Sequence, residues 1–518
     1  MSKFMFKSPL QPERQVTKEE ELRDGFLRVQ RAEALRQQKR FDQAQAICES
    51  LLRSHPDYVA ALHTLGLVLA DQERHREALN YLVNAVMLNP RDGTALAALS
   101  GVYLRLGATE MAAQMVEQAT ALAPDDANVL LMRGDVYRER CEYELARDTY
   151  RRAVTINQGM VDAEIAMGWC SAEIGDFQEA VRVFEGLAER HSRLIEPLHA
   201  LATLPATATR LDLLAQLDKV TRDPCEAETD FQISTAFILT AGLDRAGRHA
   251  EAWKCAADAN RIMHRAMQNS LQELTERRRT SLANLREHNG QPSDSGRATS
   301  KDPISLFILG PSRSGKSTME KLVSGLGGVK RGYENPIVEN AVRRTFQSSV
   351  LLTNGQLKHL PSPAYPLCRE IYREELVRRA GPARIFTNTN PGCIFEAASI
   401  VGVFERARFI LMKRNLDDNL LRIYLRKYRE ANAYAYDLSA TREHILWYHE
   451  MIDVMAEKFP GMVRVIHYED MIANPGSALR QAAELCGLSI GGKHSPAIAG
   501  DLACAAPYRE FMSAELEG

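Results

Sequence analysis

Residues 304–322 read ISLFILGPSRSGKSTMEKL, and this stretch decides the fold of the second half of the chain. The apolar run 304–309 has the length of a buried parallel strand. The loop that follows is bounded by Gly310 and Gly315, and the residues after it have the composition of a helix. Successive backbone N–H groups of such a loop can wrap an anion at a helix N-terminus. Strand, loop and helix in this order therefore predict a phosphate-binding or phosphosulfate-binding site.

The same loop also has the literal spacing of a nucleotide-triphosphate site. Gly310 to Ser317 satisfies G-x-x-x-x-G-K-[ST], the Walker A pattern, which indicates an ATP- or GTP-using enzyme. Such an enzyme also needs magnesium, held by an aspartate after a second apolar strand. The runs 383–386 and 408–412 lead into no aspartate, and Asp470 after 463–466 is a poor candidate. This reading stays open as an alternative.

The first half of the chain carries an internal repeat of 34 residues over positions 25–192. The eighth position of each unit is small, and the twentieth is alanine. These residues are Gly66, Ser100, Gly134 and Gly168, and Ala78, Ala112, Ala146 and Ala180. Small residues at a fixed period predict paired helices in close approach, and proline ends several of the units. The pattern predicts a helical solenoid, with a degenerate last unit around Ala252.

Composition places the chain among ordinary globular proteins. It has 518 residues, 45% of them apolar and 25% charged, and a net charge of −2, which excludes a global electrostatic reason to bind nucleic acid or an anionic membrane. The nine cysteines form no CxxC pair, so neither a zinc site nor a disulfide framework is indicated. The start has no apolar signal core, and no run of about 18 apolar residues occurs. We therefore expect a cytoplasmic protein without a membrane span.

Both halves resemble known families. The period of 34 is that of the tetratricopeptide repeat. The segment ILGPSRSGKSTME resembles the 5′-phosphosulfate loop of sulfotransferases, usually G-x-P-R-S-G-T-T-x-x-E, with Ser312 in place of the proline and Lys316 in place of a threonine. FERARFILMKRNLDDNLLRIY is similar to that family's second motif, which holds a 3′-phosphate. Arg414 falls on its arginine, and Arg422 stands where a serine is usual. The segment around Tyr468 looks like the family's closing strand and helix.

The resemblance implies a donor, a set of donor-binding residues and a base. The donor would be 3′-phosphoadenosine 5′-phosphosulfate, used without a metal to sulfate a hydroxyl or amine. The implied donor-binding residues are Pro311, Ser312, Arg313, Ser314, Gly315, Lys316, Ser317, Thr318, Arg414 and Arg422. Glu334 falls on the catalytic glutamate of the G-E-x-P segment in tyrosyl-protein and repeat-bearing sulfotransferases. The alternative is that Glu334 only pairs with Arg331 or Lys330, and Glu339, expected on the next helix, is a second candidate base.

One departure from the family concerns a lysine. The family often carries Asp-Lys-x-Pro before its second strand–helix unit, where this chain has Asn388 and Thr389 ahead of Pro391. The charge that neutralises the transferring group is then missing. Because Lys316 is new in the loop, we expect it to supply that charge.

Together these features predict an α plus α/β protein of bacterial type. We expect an extension over 1–24, a repeat solenoid over 25–275, a linker over 276–303, a parallel-sheet sulfotransferase domain over 304–492 and a tail over 493–518. The solenoid groove suits a protein or peptide acceptor. Two other functions stay open, a kinase or NTPase with the Walker A spacing and a catalytically inert repeat scaffold. The sequence indicates no oligomeric state.

Overall fold

The computed structural model describes residues 18–191, 193–205, 212–221, 229–288, 302–348, 362–404, 406–428, 430–488 and 502–517. The chain forms two compact units, which meet in sequence between Ile174 and Gly175. The second unit contains the last helices of the expected solenoid together with the sheet. The domain boundaries expected from sequence stay a prediction, and parts of the segments 1–24, 276–303 and 493–518 lie outside the described residues. Among the described residues, no helix is both long and apolar enough to cross a membrane.

The first unit is built from helices that pair in sequence order. They are α1 (Lys18–Gln37), α2 (Phe41–Ser54), α3 (Val59–Asp71), α4 (His75–Leu88), α5 (Gly93–Arg105), α6 (Thr109–Leu122), α7 (Ala127–Glu139), α8 (Tyr143–Ile156) and α9 (Val161–Ile174). Asp92 and Asp126 cap α5 and α7, because each carboxylate accepts two backbone N–H bonds at the helix start. The solenoid of paired helices predicted from the period is confirmed.

The small residues of the repeat lie where two helices touch. A Cβ added to Gly66 would lie 2.5 Å from Leu82 Cγ, and one added to Gly134 would lie 2.4 Å from Tyr150 Cε1. The alanines at position twenty, such as Ala78 and Ala146, are fully buried. Glycine is therefore required at these contacts for lack of space.

We expect Gly134→Ala to destabilise the protein by about 1–2 kcal/mol, because the new methyl overlaps a ring that cannot move away. The Tyr150 ring is fully buried, and its hydroxyl donates to Asp135 Oδ1 at 2.7 Å. Gly186→Ala is the control, since a Cβ there meets nothing within 4 Å. In a helix interior it should gain ~0.5–1 kcal/mol. Chemical denaturation measures both, and equal shifts would contradict the close-approach explanation.

The helices that open the second unit are α10 (Phe177–Arg190), α11 (Glu196–Thr203), α12 (Leu213–Thr221), α13 (Thr229–Arg245), α14 (His249–Ala266) and α15 (Gln268–Glu287). Helix α15 covers residues 276–287, which the sequence assigned to the linker. Its polar composition hides buried residues, since Arg278 is 5% exposed and Leu285 is fully buried.

These helices pack directly on the sheet part of the same unit. Asn260 Nδ2 donates to the C=O of Tyr424 at 2.9 Å, and Trp447 Nε1 donates to that of Arg278 at 3.0 Å. Two arginines bind the C-terminal end of α11. Arg245 Nη2 donates to the C=O of Leu201 at 2.8 Å, and Arg426 Nη1 donates to that of Thr203 at 2.8 Å. Cations suit this end because its carbonyls have no helical partner.

The rest of the second unit contains a five-stranded sheet in the order β2-β3-β1-β4-β5, with parallel neighbours throughout. The strands are β1 (Ile304–Leu309), β2 (Val329–Lys330), β3 (Ile385–Asn388), β4 (Ala407–Lys413) and β5 (Val463–His467). All six residues of β1 are buried, as expected for a central parallel strand covered on both faces. The predicted parallel sheet is confirmed.

Further helices belong to this part of the chain, and most of them cover the two faces of the sheet. They are α16 (Lys316–Ser324), α17 (Ile337–Ser348), α18 (Tyr365–Ala380), α19 (Ala397–Val403), α20 (Leu416–Tyr424), α21 (Leu438–Lys458), α22 (Tyr468–Ala473), α23 (Pro475–Leu485) and α24 (Arg509–Glu517). The strand order reverses beside β1, with β3 on one side and β4 on the other. In open parallel sheets such a reversal leaves a crevice at the carboxyl ends of the strands, where ligands bind. The loop after β1 lies at this crevice.

Candidate anion-binding site

The loop of residues 310–315 is shaped by its two glycines. A Cβ on Gly310 would lie 2.3 Å from Ser314 Oγ and 2.8 Å from the C=O of Met412. Gly315 has φ 94°, and a Cβ there would lie 2.4 Å from the Tyr468 ring. Arg313 also has a left-handed backbone, with φ 62°. The chain can therefore turn tightly against β4 and enter α16. At its two glycines the loop has no side chain that would cover the backbone.

A buried hydroxyl lies inside this turn. Ser314 is fully buried, and its Oγ has no hydrogen-bond partner among the described residues. A buried polar group without a partner costs free energy, about 1–3 kcal/mol, that a ligand can recover. Ser317 and Thr318 follow in the first turn of α16, where the first N–H groups lack helical partners. The loop can thus offer a hydroxyl and backbone N–H groups to an anion.

The arginines predicted to bind the donor come together beside the loop. Arg414 follows β4 and is 5% exposed. Its Nη1 donates to the C=O of Arg313 at 3.0 Å, and its guanidinium lies 4.2 Å from the Tyr468 ring centroid. Burial lowers the pKa of Arg422, and the positive charges of Arg414 and Arg313 lower it further. An anion in the crevice would relieve this repulsion, so the cluster favours a ligand with negative charge.

Lys316 lies across the inside of the loop. Its Nζ donates to the C=O of Pro311 at 3.3 Å, and the side chain is buried. Burial lowers the pKa of this amine, the carboxylate of Glu334 raises it, and Arg313 lowers it again. The carboxylate of Glu334 therefore lies near enough to influence the loop lysine, and its role as a base stays a prediction.

The carboxylate of Glu334 is exposed at the crevice. Its charge contributes to the raised pKa values of Tyr434 and Tyr448, for which burial is the main cause. Each of the two cations considered as ion-pair partners of Glu334 contacts a further group, and the pairing stays open as an alternative. Arg331 Nε pairs with Glu320 Oε2 at 3.1 Å, and Lys330 Nζ donates to the C=O of Arg379 at 2.6 Å.

Family comparisons agree with this architecture. Residues 303–491 match the model described as "Sulfotransferase family", and residues 29–79 and 69–135 match tetratricopeptide-repeat models. The second half of the chain is a sulfotransferase-family domain. It follows segments that match tetratricopeptide repeats, which is the combination of domains expected from the sequence. No curated protein matches the chain.

Tetratricopeptide-repeat proteins of known structure are similar to part of the chain. A thermophilic tetratricopeptide-repeat protein of Thermus thermophilus is 21% identical, covers 33% of this chain and 94% of its own, and has a TM-score of 0.31. A repeat protein from Parabacteroides merdae is 19% identical, covers 46% of this chain and 92% of its own, and has a TM-score of 0.33. Pseudomonas aeruginosa pilF is 14% identical, covers 45% of this chain and 99% of its own, and has a TM-score of 0.34.

Glu320 fastens the sulfotransferase domain's Glu334 segment to the loop helix. This carboxylate on α16 is 1% exposed. It accepts the backbone N–H of Tyr333 at 2.9 Å and the Thr387 hydroxyl, and it pairs with Arg331. The glutamate that ends the family's loop motif therefore positions the segment that carries the candidate base.

Glycine is also required in that segment. A Cβ on Gly332 would lie 2.0 Å from the C=O of Thr387 at the end of β3. Tyr333 next to it has φ 55°, an uncommon left-handed conformation for a tyrosine. The segment can therefore lie flat against β3 and project Glu334 outward.

The residues that replace the family's Asp-Lys pair hold this segment in place. Asn388 Nδ2 donates to the C=O and the Oδ1 of Asn335, each at 3.1 Å. The N–H of Thr389 donates to the C=O of Tyr333 at 2.8 Å. Both replacement residues are buried. Their side chains bring no positive charge to the crevice.

The remaining candidates of the sequence contact other parts of the domain. Glu339 lies on α17 as predicted, where its Oε1 accepts from Asn390 Nδ2 at 2.8 Å and burial raises its pKa. Glu469, beside the candidate magnesium ligand Asp470, accepts the N–H of Asn415 at 2.9 Å. This contact joins α22 to the residue after Arg414.

Sequence reasoning missed two side chains that touch the loop. The Ser312 hydroxyl lies 3.1 Å from that of Tyr434, and the C=O of Ser312 accepts from Asn419 Nδ2 at 2.6 Å. Asn419 lies within the second motif, but Tyr434 belongs to the segment AYAY at 433–436, which carries no recognised motif. Only the tertiary structure brings it to the loop.

We expect Glu320→Ala to lower the free energy of unfolding by at least ~2 kcal/mol, because it leaves buried donors and Arg331 without their acceptor. Lys321→Ala, at the exposed next position of α16, is the matched control and should change stability by less than ~0.5 kcal/mol. Urea unfolding of the full chain measures both. Similar losses for the two variants would show that Glu320 does not hold the segment.

Proposed function

We propose that this protein transfers a sulfuryl group from 3′-phosphoadenosine 5′-phosphosulfate to a hydroxyl or amine of an acceptor. The observation that carries the proposal is the bond from Arg414 Nη1 to the C=O of Arg313. Through it, the residue that follows the strand of the second motif meets the loop of the first motif at one crevice. The match of residues 303–491 to the sulfotransferase family supports the same reaction class.

The residues at the crevice fit the two charged ends of such a donor. The loop N–H groups, the unpartnered Ser314 hydroxyl and the start of α16 suit the phosphosulfate end. Arg414 and Arg422 suit the extra ribose phosphate, because a guanidinium group can bind two phosphate oxygens at once through two parallel N–H bonds. When bound, the donor supplies the activated sulfuryl group.

Glu334 and Lys316 have different tasks in this reaction. Glu334 removes a proton, and Lys316 neutralises a negative charge. Glu334 takes the acceptor proton as the acceptor atom bonds to sulfur and the bridging S–O bond to the 5′-phosphate breaks. Lys316, beside Pro311 within the loop, neutralises the negative charge that gathers on that bridging oxygen. In this role Lys316 replaces the lysine that the family carries at the position occupied here by Thr389.

A protein or peptide is the acceptor that suits the chain best. Tetratricopeptide repeats match over residues 29–135, and stacked repeats form extended concave surfaces for chains of other proteins. The sulfated acceptor would be found by transfer of labelled sulfate into lysate proteins, followed by mass spectrometry. Label in lipid or carbohydrate alone would contradict a protein acceptor.

Two other functions have specific support and are separated by ligand binding. The Walker A spacing favours an ATP- or GTP-dependent phosphoryl transfer, which predicts binding of ATP with magnesium. The repeat array favours a scaffold without enzymatic activity, which predicts that neither nucleotide binds.

We expect adenosine 3′,5′-bisphosphate to raise the melting temperature, whereas ATP–magnesium should not. At a ligand concentration of 100 Kd the gain in stability is about 2.7 kcal/mol. Arg414→Ala should abolish the shift, because it removes a guanidinium beside the loop. Arg464→Ala is the control, since this arginine on β5 donates to the C=O of Pro460. A shift with ATP–magnesium alone would favour phosphoryl transfer, and no shift with either nucleotide would favour the scaffold.

We expect Glu334→Gln to lower kcat by roughly 10²–10⁴-fold. The binding of adenosine 3′,5′-bisphosphate should not become weaker, because the base acts on the acceptor and not on the donor. Lys316→Ala should also lower kcat, and Lys316→Arg should restore part of the loss by restoring the charge. Sulfate transfer under saturating donor measures turnover. Normal turnover of Lys316→Ala would refute the replacement of the family lysine.

A further inference from the structure

Ser312 removes a constraint that the sulfotransferase loop usually has. The family loop carries proline at this position, and proline fixes φ near −65° and has no backbone N–H. Serine leaves the unbound loop with more conformations, which costs binding free energy when the loop closes around an anion. The chain therefore needs another way to keep the loop in one conformation.

Two side chains hold Ser312 from opposite ends of the residue. Its hydroxyl lies 3.1 Å from the Tyr434 hydroxyl, and its C=O accepts from Asn419 Nδ2 at 2.6 Å. Ser312 is thus bonded through both its side chain and its backbone. Neither bond uses the N–H that a proline would lack.

Tyr434 is itself held rigidly. Its side chain is 3% exposed, and its ring stacks on His444 at a centroid distance of 3.7 Å with an interplanar angle of 15°. Its C=O accepts the Thr441 hydroxyl at 2.7 Å. Burial lowers the pKa of His444 to about 3, so the stacked ring is neutral at neutral pH.

The hydroxyl of Tyr434 can serve Ser312 without losing its own partner. It lies 3.3 Å from Asn432 Oδ1, to which it donates. Its oxygen is then available to accept from the Ser312 hydroxyl. The chain Ser312–Tyr434–Asn432 therefore satisfies every hydroxyl hydrogen in it.

We propose that Tyr434 is a positioning residue of the donor loop, whose hydrogen bond to Ser312 restores the rigidity that proline supplies elsewhere in the family. Tyr434 acts through Ser312 and touches neither donor nor acceptor. The inference rests on the proposed donor site, since it concerns the affinity of that loop for the donor. It assigns a role to a residue outside the recognised motifs.

A double-mutant cycle with proline tests this role. Tyr434→Phe should weaken the binding of adenosine 3′,5′-bisphosphate by about 2–13-fold, the range of one net hydrogen bond of roughly 0.5–1.5 kcal/mol. Ser312→Pro is the second background, and its own Kd is the reference for the change measured within it. In the Ser312→Pro background, Tyr434→Phe should change Kd by less than about 1.5-fold, because the hydroxyl has no remaining task. Isothermal titration calorimetry on the full chain measures all four proteins.

Two further variants keep the result interpretable if the proline variant fails to fold. Ser312→Ala should weaken the binding of adenosine 3′,5′-bisphosphate as much as Tyr434→Phe does. The double variant should show no larger loss of affinity than either single variant. Tyr436→Phe is the matched structural control, because the Tyr436 hydroxyl accepts the N–H of Tyr428 at 2.8 Å and does not bond the loop. It should lower the melting temperature without changing Kd.

The outcomes separate the inference from the function beneath it. If wild-type protein does not bind adenosine 3′,5′-bisphosphate, the donor assignment fails and the positioning role fails with it. If wild-type protein binds and Tyr434→Phe has the same Kd, the positioning role alone is wrong. An equal loss from Tyr434→Phe in the serine and proline backgrounds also overturns it, since that loss would come from general packing.

Discussion

A buried carboxylate joins the parts of the sulfotransferase domain that must act together. Glu320 lies on the helix that begins at the loop, and it binds the N–H of Tyr333 in the next segment and the hydroxyl of Thr387 at the end of β3. A carboxylate this deeply buried is tolerated only with full pairing, and here the donors and the Arg331 charge supply it. Because Glu320 lies on α16 and its partners come from the segment 331–333 and from β3, the loop helix, the segment of the candidate base and β3 keep a fixed relation.

Positively charged side chains lie on one side of the crevice, and a carboxylate lies on the other. Arg313, Arg414 and Arg422 lie on the side of β4, and Glu334 projects from the segment that lies against β3. Lys316 is influenced by both groups. Burial is the main cause of its lowered pKa, while the charge of Glu334 raises that pKa and the charge of Arg313 lowers it further. The position where the strand order reverses thus separates the two kinds of group.

Much of this arrangement could be predicted from sequence, because its signals are local. The run 304–309, the two loop glycines and the 34-residue period each fix a backbone geometry within a short stretch. Arg414, 101 residues from Arg313, was found only through the resemblance of its motif. Tyr434 has no such motif and reaches Ser312 from 122 residues away through the sheet topology. Helix α15 was missed over 276–287, because buried Arg278 and Ser281 read as surface residues.

The core that α14 shares with α20 bears on how this protein could have been assembled. Trp253 of the helical part packs in one cluster with Leu420, Tyr424 and Tyr508, and Arg245 and Arg426 together bind the end of α11. A break at residue 303, where the family match begins, would separate these partners and bare their apolar surface. The sulfotransferase domain therefore depends on the helices that precede it in the chain. Its gene could be recombined with other repeats only by carrying the adjoining helices along.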